Sequence, residues 1–205
     1  MTPYYQDAAV TILLGDCREI ISTLGRFGLL LTDPPYGLGD RWSGGGSWQH
    51  HKGIYADAKR WDRDPITREV LDSLLSICDQ AIVWGYNYLT MPPSRGALAW
   101  IKANRMDTVA DFELAWTTFD RPAKLFVECR NPDGRRAHPT QKPLSLMKWC
   151  IQSAGDVHTV LDPFLGSGTT LRAAKDLGVK AVGIEREERY AEIAAKRMAQ
   201  EVLPL

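Results

Sequence analysis

The sequence predicts an α/β fold built around a mostly parallel sheet. The first observation lies in the last third of the chain, where apolar strands over 159–161 and 179–184 alternate with helical patterns over 169–177 and 187–202. Strands separated by helices pair in parallel, because each crossover helix carries the chain back to the end at which the previous strand began, so that the next strand runs in the same direction. The C-terminal third therefore predicts two strand–helix units of one parallel sheet.

Two further observations extend this sheet. Short apolar strands over 10–14 and 29–32 each lead to an acidic residue. Three more strand candidates, 98–102, 112–118 and 124–128, follow one another without a helix between them. Consecutive strands of this kind pair in antiparallel fashion, so we expect an antiparallel edge on the otherwise parallel sheet.

Length and composition fit one globular domain. The 205 residues suit a single domain over 1–205. Because 25 basic side chains balance 25 acidic ones, a polyanion would have to bind at a local basic patch. The four cysteines are scattered without metal-ligand spacing, which predicts reduced thiols in a cytoplasmic protein and no metal. The polar start, Met1 to Asp7, and the absence of a long apolar run predict neither a signal peptide nor a membrane partner.

The first candidate for chemistry is the turn Asp33-Pro34-Pro35-Tyr36, which follows the strand over 29–32. Two prolines stiffen the chain and remove backbone donors, which leaves carbonyl groups without ladder partners. A planar molecule with an amino group would donate to Asp33 and to such a carbonyl while it stacks on Tyr36. For this turn alone, a strand end with a capping aspartate is the stronger interpretation.

The second candidate is the stretch Asp162-Pro163-Phe164-Leu165-Gly166-Ser167-Gly168. A glycine turn between a strand and a helix, with Glu185 at the end of the next strand, is typical of nucleotide sites whose acid binds ribose hydroxyls. Leu171 stands where the dinucleotide fingerprint has its third glycine. Asp162 would repel a pyrophosphate and attract an ammonium and a sulfonium, the charges of S-adenosylmethionine. The alternative is a capping role for Asp162.

Acidic residues and prolines mark two helix starts in the first half. Asp16 can cap a helix over 17–24, and this is the stronger interpretation over a contact with a nucleotide. Asp64-Pro65 predicts a helix with Asp64 as the cap and Pro65 as its first residue, and the apolar spacing continues it to Cys78.

The stretch from His138 to Pro143 predicts a third start, with Thr140 as the cap and Pro143 as the first helical residue. The free N–H groups there, with Lys142 beside them, would form a site for a carboxylate or a phosphate. The alternative is ordinary capping with one surface lysine.

We expect a flexible loop over about 38–60, where glycine, serine and aromatic residues follow no period. It can act as a lid whose aromatic rings stack on bases, or it can be a solvated loop. His50 and His51 stand beside each other without further ligands at metal spacing, so a metal site is disfavoured.

Taken together, the motifs resemble those of the DNA amino-methyltransferases. They are Asp33-Pro34-Pro35-Tyr36, His138 to Pro143, Asp162 to Thr170 and Gly183-Ile184-Glu185. The catalytic motif precedes the cofactor motif, an order that resembles the circularly permuted beta group. Trp84 to Tyr88 and Glu113 to Thr117 are similar to the small enzymes often carried by bacteriophages.

The resemblance implies a Rossmann-like S-adenosylmethionine-dependent methyltransferase fold, S-adenosylmethionine as the cofactor and double-stranded DNA as the partner; a homodimer is compatible with it. The catalytic residues that it implies are Asp33, Pro34, Pro35 and Tyr36. The cofactor-binding residues that it implies are Asp16, Asp33, His138, Thr140, Gln141, Lys142, Asp162, Phe164, Gly166, Ser167, Gly168, Thr169, Glu185 and Arg186.

The expected reaction is methyl transfer to the N6 amine of adenine in a base flipped out of duplex DNA. Cytosine-N4 transfer is the runner-up, because the cytosine enzymes more often carry serine at the position of Asp33. RNA or glutamine methylation, a dehydrogenase and a non-catalytic DNA-binding module are weaker alternatives. We expect Lys124, Arg130, Arg135 and Arg136 to contact DNA, with a short target-recognition segment over about 120–137; a solvated basic turn is the alternative.

Overall fold

The computed structural model describes residues 2–39, 62–104, 110–130 and 141–200. Within these residues the strands are β1 (Tyr5–Gln6), β2 (Val10–Leu14), β3 (Phe27–Thr32), β4 (Cys78–Trp84), β5 (Ala97–Lys102), β6 (Phe112–Thr117), β7 (Lys124–Glu128), β8 (Thr159–Asp162) and β9 (Lys180–Glu185). The helices are α1 (Cys17–Ile20), which continues as a 3-10 turn over Ile21–Thr23, α2 (Arg68–Ser76), α3 (Leu144–Ser153), α4 (Thr169–Asp176) and α5 (Glu188–Ala199).

The described strands form one sheet in the order β1-β2-β9-β8-β3-β4-β6-β5-β7. The five central strands, from β2 to β4, are parallel neighbours. β6 pairs antiparallel with both β4 and β5, and β7 then lies parallel to β5. The predicted parallel sheet with an antiparallel edge is therefore confirmed. The antiparallel strand β1 at the opposite edge was not predicted, because two residues carry no periodic signal.

Both faces of the sheet are covered. β3 contributes Leu29 and Leu31 to the core beneath α3, α4 and α5, while Leu30 enters the core on the side of α1 and α2. Successive side chains of a strand point to opposite faces, so an unbroken apolar run is required where both faces are buried. All three leucines are fully buried, which places β3 at the centre of the fold.

Two predicted helix starts are wrong. The helix expected at Asp64-Pro65 begins at Arg68, and the hydroxyl of Thr67 accepts the hydrogen bond from the Val70 N–H. The Ile66 N–H donates to the Pro35 carbonyl at 3.1 Å, which holds this stretch against the turn after β3 and delays the helix.

α3 starts at Leu144, one residue after the predicted Pro143. Cys78 opens β4 and does not end α2, contrary to the predicted spacing. The predicted loop over 38–60 lies almost entirely outside the described residues. None of the described helices is long and apolar enough to cross a membrane.

Candidate active site

The topology brings the two predicted motifs together, although they are about 130 positions apart in the sequence. β3 and β8 are parallel neighbours, with Leu29 opposite Val160 and Leu30 opposite Leu161. Their carboxyl ends therefore meet at one edge of the sheet, the usual place of ligand sites in such folds. The Thr32 hydroxyl donates to the Asp162 carboxylate at 2.9 Å and joins the motifs directly.

A cavity of about 340 Å³ opens at this edge, within the range of sites that hold small molecules. Residues from both motifs line it. They include Asp16, Asp33, Pro35, Gln141, Lys142, Asp162, Phe164, Gly166, Ser167, Thr169, Glu185 and Arg186. Twelve residues of the predicted site thus share one cavity.

Asp162 is buried at the centre of this cavity wall. Its carboxylate accepts hydrogen bonds from the hydroxyls of Thr32 and Thr170 and from the Phe164 N–H. Burial raises the pKa of the Asp162 carboxyl to about 6, although these hydrogen bonds oppose the rise. No cation of the described residues forms an ion pair with it. A carboxylate that is held only by neutral donors attracts a cationic ligand.

The glycine turn places backbone donors next to a second acid. Gly166 has φ +55° and Gly168 has φ +82°, backbone conformations that side chains disfavour. The Gly166 N–H and the Glu187 N–H each donate to the Glu185 carboxylate at 2.7 Å. Burial raises the pKa of the Glu185 carboxyl to about 7. A Cβ on Gly168 would lie 2.8 Å from the Ala194 Cβ, so glycine also permits the close packing of α4 on α5.

Asp16 caps a helix at the mouth of the cavity. Its carboxylate caps α1 by accepting from the Arg18 N–H, which confirms the predicted cap, and it also lines the cavity. Hydrogen bonds from the Arg18 side chain lower the pKa of the Asp16 carboxyl. Arg186 lies at the same mouth, 3.9 Å from the Glu187 carboxylate.

The turn Asp33 to Tyr36 is held from several sides. The Asp62 carboxylate accepts from the backbone N–H groups of Tyr36 and Gly37. The Tyr36 hydroxyl donates to the Asp33 carboxylate, and the Tyr36 ring stacks on Tyr88 with 5.1 Å between the ring centroids. A Cβ on Gly85 would lie 2.0 Å from this ring. Only glycine at that position lets Tyr36 lie against the backbone after β4.

A chain of alternating charges supports Asp33. Lys142 contacts the carboxylates of Asp33 and Glu113, at 3.2 Å for Glu113, and Lys102 contacts Glu113 at 2.8 Å. Burial raises the pKa of the Asp33 carboxyl, against the opposing charge of Lys142. For Lys142, burial acts to lower the pKa, but the charges of Asp33 and Glu113 outweigh it and raise the pKa.

Lys142 therefore occupies a different setting from the predicted anion site. Its ammonium group is buried, bound to two acids and 5.1 Å from the centroid of the Trp84 ring. Its partner Glu113 and the second lysine, Lys102, were not recognised as site residues. Both are charged residues within the apolar strands β6 and β5, and Glu113 also begins the stretch Glu113 to Thr117 that was noted for the resemblance.

Gln141, Ser167 and Thr169 form the wall on the other side of Asp162. The Ser167 hydroxyl donates to the Gln141 side-chain carbonyl at 3.2 Å. Behind them lies Arg197 of α5, which donates to Thr169 Oγ1 at 2.8 Å and to Gln141 Oε1 at 3.2 Å. Arg197 was not recognised as a site residue from the sequence.

Of the predicted DNA contacts, the two that the structure describes, Lys124 and Arg130, do not line this cavity. Lys124 is exposed on the edge strand β7, and the backbone N–H of Arg130 donates to Asn104 at 2.9 Å. His138, Thr140, Arg135 and Arg136 lie outside the described residues. Within the part of the chain that the structure covers, no cluster of three or more acidic, histidine or cysteine side chains could hold a metal.

The fold and the paired motifs define a Rossmann-like methyltransferase of the class that uses S-adenosylmethionine. A family model described as DNA methylase, of the N6/N4 type, matches residues 83–196, which is more than half of the chain. The chain therefore belongs to the N6/N4 DNA methylase family. The predicted family and fold class are confirmed, and S-adenosylmethionine is the cofactor of this class.

Curated relatives agree with this assignment. The chain is 26% identical to the type II methyltransferase M.ScaI of Streptomyces caespitosus, over 99% of this chain and 86% of that protein. It is 46% identical over 72 residues to the type II methyltransferase M.HinfI of Haemophilus influenzae. That match covers 35% of this chain and 20% of M.HinfI.

Solved structures share the fold. The complex of M1.HpyAVI with SAM has a TM-score of 0.63 and 23% identity, over 93% of this chain and all of the other. The PvuII DNA methyltransferase, described as cytosine-N4-specific, has a TM-score of 0.68 and 17% identity, over 98% of this chain and 90% of the other.

Proposed function

We propose that this protein transfers a methyl group from S-adenosylmethionine to the N6 amine of adenine in double-stranded DNA. The observation that carries the proposal is the shared cavity, in which Asp33 and the Gly166–Gly168 turn lie at the ends of adjacent parallel strands. One strand end offers acceptors for an amine, and the other offers acids for a positively charged donor.

The residues of the cavity fit the cofactor. Asp162, without a cationic partner among the described residues, would attract the positively charged methionine end of the cofactor. Glu185 would accept from the ribose hydroxyls, and Asp16 would lie beside the adenine ring. Phe164 and Pro163 supply apolar walls. The cofactor, once bound, supplies an electrophilic methyl group on a sulfonium.

Asp33 would act on the target amine. The lone pair of an exocyclic amine is delocalised into the ring and is a poor nucleophile until it is localised. Hydrogen bonds from the amine to Asp33 and to the Pro34 carbonyl would make the nitrogen pyramidal and aim its lone pair at the methyl group. Methyl transfer would form the N–C bond as the C–S bond of the donor breaks, with the neutral thioether S-adenosylhomocysteine as the leaving group and the amine proton released to solvent. Positioning and electrostatics carry the catalysis, so no covalent enzyme intermediate is required.

Both Asp33 oxygens already have partners, Tyr36 on one and Lys142 on the other. Each carboxylate oxygen has two lone pairs, so the amine can be accepted beside them. The positive charge of Lys142 opposes the effect of burial, which raises the pKa of the Asp33 carboxyl. The base reaches this site only outside the duplex, where the Tyr36 ring would stack on it.

For DNA binding we propose Lys124 and Arg130, together with Arg135 and Arg136 in the segment over about 120–137. Lys124 is exposed at the edge of the sheet, where a duplex has access. Because each phosphate contact releases counterions, Lys124→Ala should weaken binding to all sequences and reduce the salt slope by about one. An unchanged slope in a fluorescence-anisotropy titration would remove Lys124 from the interface.

The activity is tested with deuterated-methyl S-adenosylmethionine and a plasmid from a strain without methyltransferases. After digestion to nucleosides, mass spectrometry should find labelled N6-methyldeoxyadenosine with the wild type and none with Asp33→Ala. Labelled N4-methyldeoxycytidine would give the cytosine alternative. Absence of label, with cofactor binding intact, would favour a non-catalytic DNA-binding module.

A further inference from the structure

Glu113 is the acid in the chain of charges beside Asp33 that has no part in the proposed reaction. It lies on β6, opposite Trp100 of β5. Its carboxylate contacts the Lys102 ammonium group at 2.8 Å and the Lys142 ammonium group at 3.2 Å. The side chains of both lysines are buried, with 7% and 6% exposed. One acid therefore holds two buried cations next to the strand end that carries Asp33.

Lys142 is shared between two acids. Its ammonium group contacts the carboxylates of Asp33 and Glu113 at the same time. Among the described residues, it is the one cation within ion-pair distance of Asp33. The single positive charge that opposes Asp33 is thus also engaged by a second carboxylate.

The other titratable groups of the described residues near Asp33 and Lys142 supply no second cation. They are Tyr36, Asp62, Asp162 and the thiol of Cys150. The Tyr36 hydroxyl donates to Asp33 and stays neutral, because burial raises the pKa of this hydroxyl. Burial also raises the pKa of the Cys150 thiol, which is neutral for the same reason. The electrostatic balance at Asp33 therefore depends on Lys142 and on the acid that shares it.

An ammonium group shared by two carboxylates neutralises each of them less than an exclusive partner would. Burial acts to raise the pKa of Glu113, but the charges of Lys142 and Lys102 outweigh it and lower the pKa, so Glu113 stays ionised. Burial raises the pKa of the Asp33 carboxyl, the charge of Lys142 lowers it, and the charge of Glu113 raises it further. A carboxylate with a higher pKa accepts more strongly from an amine.

We propose that Glu113 is a positioning residue for methyl transfer, which shares Lys142 with Asp33 and so preserves Asp33 as a strong acceptor for the target amine. Glu113 acts through Lys142 and not by contact with the substrate, because it is not among the described residues that line the cavity. Lys102 holds Glu113 from the other side. The inference rests on the proposed role of Asp33 and adds the group that sets its strength as an acceptor.

The test removes each charge in turn and follows the direction in which Asp33 responds. Glu113→Gln keeps the size of the side chain and an acceptor for Lys142, whereas Lys142→Met removes the positive charge. The control Asp72→Asn neutralises an exposed acid that pairs with Arg68 on α2. Nuclear magnetic resonance of isotope-labelled aspartate carboxyls gives the pKa of Asp33, with its signal assigned by Asp33→Asn. The pH dependence of kcat/KM for plasmid DNA, at saturating S-adenosylmethionine, gives the acid limb of the rate profile.

Glu113→Gln should lower the pKa of Asp33 by about one unit and move the acid limb to lower pH by a similar amount. Lys142→Met should move both in the opposite direction. On the plateau, Glu113→Gln should lower kcat by about three- to tenfold, while the dissociation constant of S-adenosylmethionine stays within about twofold of wild type. Asp72→Asn should change none of these quantities. Circular dichroism identifies the folded variants, and Glu113→Gln with its control suffices if Lys142→Met does not fold.

Shifts in the same direction for both variants, or no shift with Glu113→Gln, would overturn the inference, because a merely structural role does not reverse its effect with the sign of the charge removed. A shift in the pKa of Asp33 that the rate profile does not follow would overturn it as well. Failure of the proposed function is distinct from these outcomes. In that case the wild type itself would transfer no methyl group to DNA at any pH.

Discussion

Asp33 and Asp162 stand at the ends of adjacent parallel strands, yet the protein compensates their charges in opposite ways. Asp33 contacts the buried Lys142, which is linked through Glu113 to Lys102. Asp162 has only hydroxyl and backbone donors. One side of the cavity thus has balanced charges, while the other has a carboxylate without a cation among the described residues.

The difference matches what each side is proposed to bind. A target base is neutral, so a balanced site can accept its amine without a large electrostatic penalty. A sulfonium and an ammonium are positive, so they complete a site with surplus acid. The comparison teaches that two aspartates at equivalent strand ends acquire different electrostatic environments from the elements that pack beside them.

The largest effect on activity is expected on the side of the cavity that contains Asp33. Asp33→Ala should lower the rate of methyl transfer by about 10³-fold, because the amine loses the acceptor that localises its lone pair. Cofactor affinity should stay within severalfold of wild type, since Asp162 and Glu185 remain. A tritiated-methyl assay and calorimetry measure the two effects, with the exposed Asp72→Ala as the control. Equal losses in both measurements would contradict the separation of roles.

The ion pairs that link Asp33, Lys142, Glu113 and Lys102 should also stabilise the fold. Lys102→Met leaves Glu113 with one buried partner fewer and should lower the free energy of unfolding by about 3 kcal/mol. The matched control is Arg26→Ala, which breaks the exposed pair with Asp79 and should cost less than about 1 kcal/mol. Urea unfolding measures both variants. If the two variants lower the free energy of unfolding by similar amounts, the buried ion pairs of Lys102, Glu113 and Lys142 contribute no more to stability than an exposed pair.

On the cofactor side, Asp162→Asn should weaken S-adenosylmethionine binding by about 10- to 100-fold, because the cationic end loses its acid. The neutral thioether 5′-methylthioadenosine should lose much less, since it lacks both positive charges. Calorimetry with both ligands gives the comparison. If both ligands lose affinity equally, Asp162 stabilises the strand end and does not recognise charge.

The smallest effect is a pH dependence of cofactor binding. With its pKa raised to about 7, Glu185 is largely protonated at pH 6 and ionised at pH 8. If the ribose hydroxyls prefer the ionised form, binding lowers this pKa, releases a proton and strengthens as pH rises. Cofactor affinity should rise by about 10-fold from pH 6 to pH 8, because Glu185 is ionised in only about a tenth of the ligand-free molecules at pH 6.

Glu185→Gln should remove this part of the dependence and leave the part that comes from the ligand's own amino group. Calorimetry across buffers with different ionisation enthalpies counts the protons released. A profile of the variant that coincides with that of the wild type would exclude Glu185 as the titrating group.

The sequence predicted best what depends on neighbouring residues. The alternation of strands and helices, the Asp16 cap and the antiparallel edge follow from local pattern and are present in the structure. The combination of motifs led us to expect the Asp33 and Asp162 segments in one pocket, but the direct pairing of β3 with β8 was not predicted.

What depended on contacts distant in sequence was missed. The helix start at Asp64-Pro65 failed because the Pro35 carbonyl holds Ile66. The contacts of Lys142 required knowledge of Glu113, whose strand is brought beside the turn Asp33 to Tyr36 by the antiparallel edge. Arg197 gave one unused signal, a charged residue on the apolar face of an amphipathic helix.

The central claim is that one cavity holds both the methyl donor and the target amine. It is tested most directly by a crystal structure with sinefungin, in which an amine replaces the transferred methyl group. The account predicts that the methionine end lies along Asp162 and the Gly166–Gly168 turn and that this amine points towards the carboxylate of Asp33. A ligand bound in the same cavity with that amine turned away from Asp33, or bound elsewhere, would contradict it.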